Sequence, residues 1–126
     1  MDKITLISTF EECFEFLLNN KFPLPDNISN EIHLTKKNSY YGICLHTFVD
    51  GKLIHVIGLN ENFIRKGTKQ AIKATIIHEL LHTLPNCNNH GKVWKSFAKK
   101  AELLTGCPIR TTVGTKEGFN ANWLTL

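Results

Sequence analysis

The sequence predicts an α+β domain: an N-terminal helix, a small antiparallel sheet of about three strands, an HExxH helix and a second helix expected to contribute to the same metal site. Three observations predict it. Residues 9–19 place apolar side chains at helical spacing. Residues 31–60 hold extended runs, two of them joined by Asp50-Gly51. From Lys69 helical periodicity returns and continues, broken at Pro85, to Gly106. The chain has 126 residues, 42% hydrophobic and 21% charged, with a net charge of +4. These proportions suit one globule with a modest core and exclude a disordered tail, a coiled coil or a collagen-like chain. Residues 1–126 are expected to form a single domain. Within it, 106–126 form an irregular C-terminal extension anchored by Trp123 and Leu124.

In the first helix, Phe10, Cys13, Phe14, Leu17 and Leu18 share a face, with Glu11, Glu12 and Glu15 elsewhere on the wheel. Thr9 and Glu12 have the spacing of a capping box, and Pro23 and Pro25 close the segment. Three strand candidates follow at Glu31–Thr35, Ser39–Val49 and Lys52–Asn60. Asp50-Gly51 suits a two-residue type I′ turn. Pairing Val49 with Lys52 sets His46 opposite His55, on a face shared with Phe48 and Leu53. Two imidazoles lacking a third carboxylate or cysteine make a poor metal site, so a half-exposed polar pair is the expectation.

Lys69–Leu84 is apolar nearly all round, with charge only at Lys69, Lys73 and Glu79, as in a buried helix ending before Pro85. After a polar loop, Gly91–Thr105 is amphipathic. Val93, Trp94, Phe97, Ala98, Ala101 and Leu104 form its apolar face, and Gly106 then Pro108 stop it.

No secretory signal is legible at the N-terminus, and no apolar run reaches membrane-spanning length. Cys13, Cys44, Cys87 and Cys107 form no CxxC pair, so free thiols in a reducing cytoplasm are expected.

The buried helix contains His78-Glu79-Leu80-Leu81-His82, an HExxH pattern. Histidines at i and i+4 project from one helical face and can meet one Zn²⁺. The glutamate beside the first stands to one side, where it can accept a proton from an attacking water. Three such side chains in an otherwise apolar helix call for partners, because unpaired burial costs several kcal/mol. A third protein ligand is needed. His90 is the first candidate, at the entry to the following helix; Cys87 in the same loop and a carboxylate such as Glu102 are its rivals.

Across His78–Phe97, HELLHTLPNCNNHGKVWKSF, the chain resembles the SprT-like metallopeptidase family. That family pairs HExxH with a loop and then His-Gly followed by an aromatic, here His90-Gly91-Lys92-Val93-Trp94. The order of helix, strands and two metal helices, a zincin-like minimal core, is also similar, over roughly residues 5–105. The resemblance implies His78, His82 and His90 as zinc ligands, Glu79 as general base, and a protein or peptide substrate. Eukaryotic relatives degrade proteins crosslinked to DNA. Many relatives carry a four-cysteine zinc ribbon after the core, whereas only Cys107 follows it here.

Residues 91–126 supply the whole net charge through Lys92, Lys95, Lys99, Lys100, Arg110 and Lys116 against Glu102 and Glu117. A weak DNA contact through this basic C-terminal third is one reading; the solvated side of an amphipathic helix is the plainer one. The leading expectation is a cytoplasmic zinc metallopeptidase, with Tyr40 or Tyr41 as candidate oxyanion donors. The alternative is a non-catalytic zinc domain that binds a protein or nucleic-acid partner.

Overall fold

A computed structural model describes residues 1–109. Trp123, Leu124, Arg110, Lys116 and Glu117 lie outside the described residues.

Helix α1 (Lys3–Asn19) begins well before the Thr9 cap that the sequence suggested. The Asp2 carboxylate caps it, accepting from the Thr5 N–H at 2.7 Å. A carboxylate there satisfies an orphan donor and also meets the positive end of the helix dipole, which a threonine hydroxyl does not do as well. Thr9 is instead interior, its hydroxyl donating to the Thr5 carbonyl at 2.7 Å. Glu12 points outward to Lys73 and Lys69 at 3.3 and 3.6 Å. Leu6, Phe10, Cys13 and Leu17 are buried. After the Asn20 cap the chain turns through Lys21 at φ 66° and runs toward Pro23.

Strands β1 (Ile28–Thr35), β2 (Gly42–Val49) and β3 (Lys52–Asn60) form one sheet in the order β1-β3-β2. The Asp50-Gly51 hairpin sets Val49 against Lys52 and His46 against His55, the register expected of its turn. The sheet is mixed rather than antiparallel: β1 runs parallel to β3, with Ile32 opposite Ile57 and Leu34 opposite Leu59. The hairpin makes β2 and β3 neighbours, and β1 joins at the free edge of β3, not at that of β2. Because the chain reverses once into β2 and again into β3, β1 and β3 share a direction.

A short helix, α2 (Glu61–Lys66), follows β3 directly and was not foreseen from the sequence. Its cap, Asn60, is buried, accepts from the Phe63 N–H at 2.9 Å and donates to the Lys37 carbonyl. Six residues are too few for periodicity to register.

Helix α3 (Lys69–Leu81), capped by Thr68, is the centre of the core. It packs against α1, against the sheet and against α4 (Lys92–Thr105), which explains its apolar circumference. It ends three residues short of Leu84. From His82 onward the backbone tightens into i→i+3 hydrogen bonds, Thr83 to Leu80 and Leu84 to Leu81. Pro85 has no N–H to continue a helix and disfavours helical geometry at Leu84. Helix α4 buries Trp94, Ala98 and Ala101, while Val93 and Leu104 stay largely exposed. Gly106 ends it at φ 73°, the left-handed conformation that glycine adopts without penalty.

Candidate metal centre

His78 and Glu79 lie in the last turn of α3 and His82 is its C-cap residue. The two imidazoles thus stand one turn apart on one face. The chain then turns through Asn86, at φ 62°, and comes back to deliver His90 just ahead of the Gly91 cap of α4. The third imidazole therefore comes from the loop and not from a second metal-bearing helix. Asn89 shapes this entry, its side-chain oxygen accepting from the Gly91 N–H at 2.9 Å.

The three Nε2 atoms converge, with His90 at 3.0 Å from His78 and 3.1 Å from His82. Imidazole nitrogens about 2.0–2.1 Å from a tetrahedral ion are about 3.3 Å apart, so small side-chain adjustments open this cluster to one ion. The orientation of His82 is set from behind. Its Nδ1 lies 2.7 Å from the Cys87 carbonyl oxygen, which can only accept, so Nδ1 carries the proton and the Nε2 lone pair faces the cluster. Burial holds His82 below the usual histidine range, an effect the Cys87 bond partly opposes. His90 is lowered by burial and by the neighbouring His82 and Lys95. Neutral rings are the form a metal takes. Among the described residues, His78, His82 and His90 constitute a group able to hold a metal ion.

Neither rival third ligand belongs to this group. Cys87 is buried and contributes its carbonyl to His82. Glu102, near the far end of α4, accepts from the Ile109 N–H at 2.7 Å.

Trp94, fully buried one turn into α4, is the common floor of the cluster. Its ring centroid is 4.6 Å from His90, 4.7 Å from His78 and 5.6 Å from His82, nearly parallel to the last. Glu79 is 4% exposed, its carboxylate Oε2 3.7 Å from His78 Nε2. Desolvation raises its pKa from 4.5 to about 8.

Two neighbours of the cluster were not singled out from the sequence. Gly42, at the start of β2, lets the strand approach α3 closely. A Cβ there would stand 2.8 Å from Thr75 Cγ2 and 3.1 Å from Glu79 Cγ. Gly42→Ala is expected to cost about 1–3 kcal/mol by overpacking, read as a lower urea midpoint with an unchanged m value. Glycine at a strand start was the available signal. Asn88 is the other; it lines a cavity of about 230 Å³ together with the three imidazoles, Glu79, and Gly42, Ile43, Cys44 and His46 of β2. Neither Tyr40 nor Tyr41 lines that cavity; Tyr41 is buried in a stack on Phe63, 4.4 Å between centroids.

The His46–His55 pair also has more company than the sequence reading allowed. The two Nδ1 atoms are 2.8 Å apart, and Cys44 completes a second group of three potential donors. Strand alternation puts Cys44 on the face of His46, which was the signal for it.

A model of the SprT-like family matches residues 10–113. No curated protein and no solved structure matches the chain.

Proposed function

Since the chain belongs to the SprT-like family, we propose that it is a zinc-dependent metallopeptidase in which His78, His82 and His90 hold the metal and Glu79 is the general base. The observation that carries this reading is a buried carboxylate beside three converging imidazoles, facing a cavity walled by a strand. A metal site that only fastened two helices would gain nothing from an acidic group buried at such cost.

The residues suit zinc: three imidazole nitrogens converge beside the cavity, one ring oriented by a backbone carbonyl, and these would hold the ion. Bound there, zinc supplies a Lewis acid and lowers the pKa of water. Glu79 accepts the proton released as the water oxygen attacks the scissile carbonyl carbon, and returns it to the leaving amine nitrogen. β2 is an edge of the sheet, so its outer backbone groups can align an extended peptide alongside Gly42 and Glu79. Asn88 lines the cavity, and we assign its amide as the donor to a developing oxyanion.

DNA-associated proteins are one substrate class that this reading accommodates. Lys92, Lys95 and Lys99 form an exposed basic side of α4, whereas Lys100 is engaged with the Asn20 carbonyl at 2.8 Å and the Phe22 ring.

The test is to compare wild type with Glu79→Gln for bound zinc and for cleavage of an unfolded protein, with and without single-stranded DNA. The expected result is equal zinc, with turnover lower by about 10²–10⁴-fold in the variant. Equal cleavage by both proteins would remove Glu79 from its role. Zinc binding with no cleavage by either would favour a non-catalytic metal domain. Zinc fully retained by His78→Ala/His82→Ala would overturn the ligand assignment.

A further inference from the structure

We propose that Cys44, His46 and His55 form a second metal site, selective for a zinc-type ion, on the sheet wall of the same cavity. The donors are held by the hairpin. Asp50-Gly51 sets the register that places His46 directly opposite His55, and Cys44 precedes His46 by two residues on the same face. The far side of the hairpin is anchored too, with the His55 N–H donating to the Asn27 carbonyl at 2.9 Å.

The potential donor atoms of the three side chains lie within 4.8 Å of one another. Around a tetrahedral ion with bonds of about 2.0–2.3 Å they would be about 3.3–3.6 Å apart. Side-chain torsions on a half-open strand face can close that difference: His46 is exposed, and Cys44 and His55 are half-buried. The two rings already meet Nδ1 to Nδ1 at 2.8 Å, with planes 86° apart. In the absence of a metal one ring must donate a hydrogen to the other. For both Nδ1 atoms to bind an ion, that ring moves its hydrogen to Nε2, and Cys44 releases its thiol proton to solvent as the sulfur–metal bond forms.

The donor chemistry selects the ion. One thiolate and two imidazoles suit Zn²⁺ and its close substitute Co²⁺, and are wrong for Mg²⁺ or Ca²⁺, which take oxygen. Among the described residues three protein donors converge, which leaves a fourth position open. Cys44 and His46 also line the cavity that His78, His82 and His90 line, so an ion here shares its space with the first site. The inference stands on its own donors and does not depend on peptidase activity.

The test is titration of the reduced full chain with Co²⁺ and Zn²⁺. Wild type is expected to take two equivalents, and Co²⁺ to produce a near-ultraviolet thiolate-to-metal charge-transfer band, which a three-histidine site cannot give. Cys44→Ser should lose the band and one equivalent. His46→Ala, on an exposed strand position, should weaken the second equivalent at least tenfold. His78→Ala/His82→Ala should keep the band and one equivalent, which separates this site from the first. A single equivalent without the band in wild type would show that the imidazole pair is a hydrogen bond only and overturn the proposal. So would a band that persists in Cys44→Ser, or one lost from a folded His78→Ala/His82→Ala.

Discussion

Trp94→Ala is expected to unfold at a urea concentration corresponding to a loss of about 3–5 kcal/mol, and to bind zinc about 10–100-fold more weakly in competition with a chelator. The stability term follows from burial: the indole has no exposed surface and sits between α4 and the end of α3. Its removal leaves a cavity that the surrounding backbone cannot fill. The affinity term follows from contact. All three imidazoles rest against this ring, at centroid distances of 4.6 to 5.6 Å. His82 is also held from behind, through the Cys87 carbonyl. Without the indole the three imidazoles lose their shared wall, and metal binding must restore their arrangement. Trp94→Phe keeps an aromatic floor and should recover most of the affinity while remaining less stable than wild type. If Trp94→Phe and a folded Trp94→Ala bind zinc as wild type does, the imidazoles are set by backbone position alone, and the tryptophan serves only the core.

What could be foreseen from the sequence follows the range of the interactions involved. The HExxH face needed only the pitch of a helix, and the His46–His55 pairing needed only a two-residue turn. Both are local, and both stand as the residue spacing implied. The direction of β1 was not legible, because a parallel partner is chosen across a connection and no residue in Ile28–Thr35 encodes it. The start of α1 was misplaced for a different reason. Thr9 and Glu12 have capping-box spacing, but both Asp2 and Lys73 had stronger claims on the groups concerned. The close approach of Gly42 to Glu79 lay beyond a reading by periodicity, since it joins residues far apart in the chain. Cys44 was legible in principle. Alternation along β2 assigns it to the face of His46, yet the pair was read as lacking a third carboxylate or cysteine.

In the metal-free protein, Glu79→Gln is expected to raise stability, and to do so increasingly as pH rises. The Glu79 carboxyl is buried with its pKa raised from 4.5 to about 8. Between those values the native state keeps a proton that the unfolded chain has lost, so the slope of unfolding free energy against pH is negative. The contribution of Glu79 is therefore intact below about pH 4.5, declines through the interval and is fully lost above about pH 8. At about 1.4 kcal/mol per pH unit the whole interval amounts to at most about 5 kcal/mol. Glutamine has the same shape and no charge to bury, so the variant should lack this decline. The quantity to follow is the difference between the two proteins in urea midpoint from pH 5 to pH 9, in the presence of a chelator. His82 and His90 titrate in both, and with the opposite sign, because their pKa values are lowered by folding. Parallel curves for wild type and variant would show that the carboxylate is solvated after all. A difference that widens with pH would show a residue kept at a stability cost the fold does not require, as expected for a group retained for proton transfer.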